Sequence, residues 1–203
     1  IFSQTYQDWE LVVINDGSSD STEHIVKKYI NKGYPIIYHY QANHGLGYSR
    51  NKAIELSQGV YIAFIDHDDI WLPNKLGKQT ALFSDNPEID FAYTNYYIMK
   101  NNQKLLAFKN KQPSGYVFEK FLYHCPVALV TAMLKRKTLT MNNIQFDENL
   151  HLSEEYDAFM HLLYKSQAGY IEAPLAIYRI HPEMSSIVKI FNYYTEGIYI
   201  MKK

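Results

Sequence analysis

Four consecutive residues, Asp66-His67-Asp68-Asp69, set three carboxylates side by side. Like charges this close repel one another at neutral pH. A divalent cation among them removes the repulsion, and hard carboxylate oxygens suit Mg2+ or Mn2+. Such ions usually take one or two protein carboxylates and fill their other positions with substrate phosphates and water. An Asp-x-Asp at a strand end therefore points to a metal-bound diphosphate. The competing reading is an acidic turn with Asp69 near a helix start.

Other candidates lie along the chain. Asp16 ends an apolar run, where a carboxylate could accept hydrogen bonds from a base or a ribose hydroxyl. Asp20 reads as a helix cap, and the surrounding segment lacks the bidentate Glu of a calcium loop. Arg50, near a helix start, suits a phosphate or a base carbonyl. Gly45-Leu46-Gly47 brushes against the dinucleotide fingerprint but lacks its third glycine. Glu154 and Glu155 open a helix, either as favourable charge at its positive end or with one of them as a general base. His181 follows a strand and is either structural or a ligand. Spacing gives His44 and His67 no role.

These residues need elements to place them. Leu11–Ile14 reads as a buried strand ended by the turn Asn15-Asp16-Gly17. A helix follows, with Ile25, Val26, Tyr29 and Ile30 on one face and Gly33 at its stop. Ile36–Tyr40 is a second strand, ended by Asn43-His44-Gly45. Leu46–Ser57 is a helix, and Val60–Ile65 a third strand that runs into the acidic cluster. Pro73 can open the next helix. This alternation predicts parallel β-α-β units, and ligands bind beyond the carboxyl ends of such strands. The three polar strand ends should thus line one crevice.

The second half is mixed. Ile89–Met99 reads as a long strand, with Leu105–Phe108 returning after a turn. Lys109–Gly115 reads as a mobile loop that closes over substrate, and Tyr116–His124 as a short helix. Ala128–Leu134 is a strand or a buried helix. Ser153 caps a helix with Tyr156, Phe159, Met160 and Leu163 on its apolar face, and Gly169 closes it. Tyr170–Tyr178 is a strand broken by Pro174, and an aromatic-rich helix runs from Ser186 onward.

Composition narrows the class. The chain has 203 residues, enough for one domain with a real core, and 47% of them are hydrophobic. Its 20 basic and 21 acidic residues leave a net charge of -1, which excludes nucleic-acid binding by bulk charge. The single cysteine, Cys125, permits neither an intrachain disulfide nor a Cys-based zinc site, and fits a reducing cytoplasm. We read it as a small buried hydrophobe. The 19 tyrosines read mostly as core and groove walls. No apolar run is long enough to span a bilayer. The opening Ile1-Phe2-Ser3-Gln4 reads as the end of a helix rather than a secretory leader.

Several runs, in order, resemble family 2 glycosyltransferases with the GT-A fold. They are Gln4 through Glu10, Asn15 through Thr22, Asn43 through Asn51, and Ile65 through Pro73. Phe146-Asp147-Glu148, Ser153 through Asp157, and Tyr178-Arg179-Ile180-His181 complete the set. Each is modest alone, but their order and spacing together are specific. The resemblance implies a Rossmann-like, mostly parallel α/β sheet flanked by helices, with a mixed acceptor-side half. It implies one GT-A domain over 1–203: a nucleotide-sugar half at about 1–100, an acceptor half at about 101–185, and a C-terminal helix at about 186–203.

The resemblance also assigns roles. Asp16 recognises the nucleotide base, and Arg50 is a further nucleotide contact. Asp66 lies near the ribose, Asp68 holds Mn2+ or Mg2+, and Asp69 contacts the donor sugar or supports the loop. Glu155 stands where the family usually has the Asp of its Glu-Asp pair, the catalytic base; Glu154 and Asp157 are the alternatives. His181 reaches the metal or diphosphate. His161 stands where many members have Arg. The family's usual leading strand, loop and helix are expected to be missing ahead of Gln4, which puts catalysis by this chain alone in question.

The implied function is inverting, metal-dependent transfer of a sugar from a nucleotide-sugar, UDP favoured, to a hydroxyl of a glycan or lipid-linked acceptor. No nucleic acid takes part. The abundance of Asn, Lys, Ile and Tyr fits an AT-rich bacterial genome and surface-polysaccharide synthesis. The location implied is cytoplasmic or peripheral at the inner face of the membrane. The C-terminal helix is expected to pack on the body, self-associate or touch the membrane. Two rivals remain: an inactive remnant or sugar-nucleotide binding module, and a nucleotidyltransferase.

Overall fold

A computed structural model of the chain describes residues 1–182, 184 and 190–203. The first strand, β1 (Leu11–Asp16), leads through α1 (Thr22–Ile30) to β2 (Ile36–Gln41). The two strands pair in parallel, Leu11 opposite Ile36 and Asp16 opposite Gln41, and form a sheet of their own. The β-α-β expectation holds for this unit. Ser21 is the residue before α1, and Asp20 sits one step further back, its Oδ1 accepting the Thr22 N–H at 2.9 Å.

The helix α2 (Leu46–Leu56) and the short β3 (Tyr61–Ala63) follow. β3 is three residues of the expected Val60–Ile65 run, and it pairs antiparallel with β7 (Met133–Lys135) instead of extending the β1–β2 sheet. Glu10 ties the two sheets together at their base, since its Oε1 accepts the Gln58 and Gly59 N–H groups at 2.5 and 2.7 Å.

The six-stranded sheet runs β3-β7-β5-β8-β4, with β6 on the far part of β5. Its spine is β5 (Ile89–Lys100) alongside β8 (Gln167–Arg179), in parallel. Pro174 does not end β8; the ladder shifts register where Asn95 and Pro174 face each other. β4 (Ile70–Trp71) pairs antiparallel with β8, and β6 (Gln103–Leu106) antiparallel with β5. Ala128–Leu134 resolves into a 3-10 turn at Leu129–Thr131 and the start of β7.

The side chains of β5 divide the core into two layers. Phe91 and Tyr93 pack with Phe121 of α4 (Phe118–Tyr123) and Phe159 of α6 (Glu154–Leu163). The Phe91 and Phe159 rings meet edge to face at 4.9 Å. Ala92 packs with Trp71, and with Leu76 and Phe83 of α3 (Lys75–Asp85). Each large apolar side chain so buried contributes about 1.5–3 kcal/mol. Lys75 is fully buried in the second layer, its Nζ 2.7 Å from Gln79 Oε1 and 4.4 Å from the Trp71 ring; burial pushes its pKa down to about 7. Cys125 packs half-buried against the first layer, and burial pushes its thiol up to about 11.

Two local expectations change. Gly169 lies inside β8, not at the end of α6; a Cβ there would stand 2.8 Å from Leu82 Cδ2 and Ile89 Cδ1. The far end of the 109–115 loop is fixed, because Tyr93 donates to the Pro113 carbonyl and Gly115 pairs with Ala168. After α5 (Arg136–Met141), α6 and β8, the last element is α7 (Ile190–Ile200). The expected start of this helix at Ser186, and residues 187–189, lie outside the described residues. Among the described residues, no helix is long and apolar enough to cross a membrane.

Candidate functional site

The first two polar strand ends are joined through Asp16. Its Oδ1 accepts the Gln41 Nε2–H and the His44 N–H at 2.8 and 2.9 Å, and its Oδ2 accepts the Gly45 N–H at 2.9 Å. Burial alone would raise its pKa, but these hydrogen bonds outweigh burial and hold it below the usual carboxylate range. Gly17 has φ +81°, and a Cβ there would stand 3.0 Å from the Asn43 nitrogen, so the glycine lets the two loops meet.

The third strand end folds back on itself. Asp69 N–H donates to the Asp66 carbonyl, and β4 then runs beside β8. That pairing sets the acidic cluster against the end of β8. Asp69 is buried, and its Oδ1 accepts the Arg179 N–H at 3.0 Å. Burial, with Asp68 and Asp66 adding repulsion, lifts its pKa to about 7 against the opposing Arg179 hydrogen bond. The Asp68 carbonyl accepts a hydrogen bond from Arg179 Nε. Asp68 Oδ2 lies 3.0 Å from His181 Nε2, and both side chains are partly open to solvent.

That pair bears on metal binding. Among the described residues, no group of three or more His, Cys, Asp or Glu side chains could hold an ion on its own. The two atoms are hydrogen-bonded to each other here, and their 3.0 Å separation is also compatible with adjacent positions on an octahedral ion, about 3.0 Å apart for bonds near 2.1 Å. The remaining positions would fall to phosphate and water, the usual habit of Mg2+. The residues present therefore fit a divalent ion shared with a diphosphate.

Arg50, on α2, joins the acidic cluster to α6. It is almost wholly buried, and its guanidinium pairs with Glu154 Oε1, with Glu155 Oε2 at 3.3 Å and with Asp66 Oδ1 at 3.4 Å. The guanidinium also lies 5.6 Å from the Phe146 ring. Burial alone would lower its pKa, but Glu155, Asp66 and Glu154 more than offset that and keep it fully charged. Glu154 is completely buried, whereas the Glu155 side chain keeps 31% exposure. Burial, with repulsion from Glu154, pushes the Glu155 pKa up to about 7, and Arg50 opposes the rise. Glu155 is thus the member of the pair with access to a reactant and with a pKa suited to taking a proton near neutrality. Asp157, the other alternative, points to Lys203, 3.0 Å from its Oδ2.

In the sequence Glu154 stands as an alternative base, with no sign of its contact. In the structure it is the most buried partner of Arg50. Gln4 is buried, donates to the Leu72 carbonyl and accepts the Leu76 N–H, and so anchors the segment behind the acidic cluster. Gly47 serves close approach rather than a dinucleotide: a Cβ there would stand 2.8 Å from the Asp147 carbonyl. Beside it, Asn51 exchanges two hydrogen bonds with the Phe146 backbone, docking the 146–148 connection on α2.

Known proteins share this arrangement of elements. The chain is 32% identical over 199 residues to an uncharacterized glycosyltransferase of Rickettsia bellii, covering 98% of this chain and 28% of that one. It is 31% identical over 187 residues to the Escherichia coli UDP-Glc:alpha-D-GlcNAc-diphosphoundecaprenol beta-1,3-glucosyltransferase WfgD, covering 92% of this chain and 71% of WfgD. The fold matches that of Staphylococcus aureus TarS 1–349 in complex with UDP, with a TM-score of 0.77 and 22% identity, covering 98% of this chain and 57% of that one. The chain thus spans less than two thirds of two of these three proteins. Residues 1–139, which include β1, the acidic cluster and Arg50, match the family described as glycosyl transferase family 2. The chain belongs to that family, with a GT-A α/β fold.

Proposed function

We propose that this chain transfers a sugar from a UDP-sugar to the hydroxyl of a glycan or lipid-linked acceptor, with inversion, in bacterial surface-glycan synthesis. The observation that carries the reading is the span of Arg50. One guanidinium connects Asp66 of the acidic cluster to Glu155, so donor-side and acceptor-side carboxylates flank a common centre. The family supports sugar transfer. The name of WfgD supports a UDP-sugar and a diphosphoundecaprenol-linked acceptor, and the TarS complex supports UDP.

In this reading Asp16 and its loop shape the base-binding end, and Asp66 takes the ribose. Asp68 and His181 would hold Mn2+ or Mg2+, which when bound supplies positive charge against the diphosphate leaving group. Asp69 supports the loop through Arg179. Arg50 pairs with Glu154, Glu155 and Asp66, and so orients the base while offsetting part of the charge of this acidic wall. Glu155 takes the proton from the acceptor hydroxyl as its oxygen attacks the anomeric carbon. The bond from that carbon to the diphosphate oxygen breaks on the opposite side, and the electron pair leaves with UDP. Apart from His181, the donor contacts fall within about residues 1–100, and the acceptor is met by the rest of the single domain.

Thermal unfolding with Mn2+ and UDP, GDP or dTDP tests the donor site. Ligand at 100 times its dissociation constant adds about 2.7 kcal/mol of stability. We expect that gain with Mn2+ and UDP together and its loss in Asp68→Asn. An equal gain in Asp68→Asn, or none in the wild type, contradicts the reading.

A further inference from the structure

Glu196, on α7, is buried, yet among the described residues no ion pair with a cationic side chain is found for it. Its carboxylate instead takes three successive backbone amides. Oε1 accepts the His151 N–H at 2.8 Å, and Oε2 accepts those of Leu152 and Ser153 at 3.0 and 2.9 Å. A run of backbone N–H groups of this kind makes an anion-binding concavity. Here the anion comes from a helix more than forty residues further along the chain.

The three amides lead straight into α6, whose first two residues are Glu154 and Glu155. Ser153, at the N-cap position, makes no side-chain cap bond. The amides ahead of α6 are thus met by Glu196 from a distant helix and not by a local side-chain cap. The same helix and the turn after it hold two more points. Tyr199 OH donates to Asp147 Oδ2 at 2.9 Å, and Lys203 Nζ bridges Asp147 and the buried Asp157 of α6. A buried carboxylate is costly unless its oxygens are satisfied, and here the three backbone amides satisfy both.

We propose that Glu196 is a positioning residue for sugar transfer: by binding the amides of residues 151–153 it fixes the first turn of α6 and holds Glu155 at the reacting centre. The proposal rests on Glu155 being the base. Small displacements of a reacting group are expensive, about a hundredfold in rate for 1 Å.

The test compares Glu196→Gln, Glu196→Asp and Glu155→Gln in the full protein, measuring kcat, donor KM and melting temperature. Gln keeps the shape of Glu but turns an N–H donor toward amides that need an acceptor. We expect Glu196→Gln to lose about ten- to a hundredfold in kcat with donor KM unchanged. Glu196→Asp, which keeps both oxygens one methylene short, should recover part of the loss. It also carries the comparison if Glu196→Gln does not melt cooperatively. Wild-type kcat in Glu196→Gln, with Glu155→Gln inactive, overturns this proposal alone. Normal turnover in Glu155→Gln removes the base and overturns the proposal through its premise. A fall in kcat matched by a rise in donor KM and a lower melting temperature makes Glu196 merely structural and also overturns it.

Discussion

Arg50 and Glu154 form an ion pair almost wholly out of water, and the second Glu154 oxygen has no hydrogen-bond partner among the described residues. Removing one member of such a pair strands a buried charge, at about 3–5 kcal/mol. Arg50→Met should therefore lower the melting temperature by roughly 10 °C at this chain length. Arg50→Met with Glu154→Met should recover much of the loss, because the fully buried Glu154 is no longer stranded, while Glu155 and Asp66, which also lose their cation, are partly exposed. A double-mutant cycle in urea checks this, and additive losses would contradict a coupled pair.

Asp69 gives a pH-dependent prediction. Its folded pKa, about 7, lies above the ordinary 3.8, chiefly through burial. A carboxylate raised in this way weakens the fold when ionised; the penalty is absent below pH 3.8, grows between the two values and is complete above 7. Asp69→Asn removes the penalty and keeps an oxygen for the Arg179 N–H. Its melting temperature should exceed that of the wild type at pH 8 and converge with it at pH 4. If Asp69 supports the loop, this variant retains transfer; a large rise in donor KM would make it a direct donor contact instead.

Gly47 tests the contact between α2 and the 146–148 connection. A Cβ would meet the Asp147 carbonyl at 2.8 Å, backbone against backbone, where no flexible side chain can give way. Gly47→Ala should cost about 1–3 kcal/mol, despite alanine's better helix propensity, and shift the urea midpoint downward. An unchanged or higher midpoint would show that the connection moves freely.

Much of this site could be read from the residues. Apolar runs ending in Asp16 and ahead of Asp66 place carboxylates at strand ends, and a helix start at Ser153 puts Glu155 in its first turn. The family resemblance then joined segments far apart in the chain. What stayed hidden depends on contacts between such segments. Nothing near β3 announces that its partner is β7, a strand about seventy residues later. Charge and spacing alone leave the adjacent Glu154 and Glu155 equivalent; the resemblance favours Glu155, and in the structure burial against Arg50 sets Glu154 apart. Gly169 looked like a helix stop because glycine serves both helix ends and close approaches, and Leu82 and Ile89 decide for the second. Glu196 carries no local signal, since its partners are backbone amides.

The most direct measurement is the pH dependence of kcat for the wild type and Glu155→Gln, with donor binding followed in parallel. The account predicts that wild-type kcat falls as pH drops through about 7, where Glu155 takes up a proton. Glu155→Gln should bind UDP-sugar normally yet transfer it at least about a hundredfold more slowly. A variant that transfers sugar at the wild-type rate would contradict the assignment of Glu155 as the base.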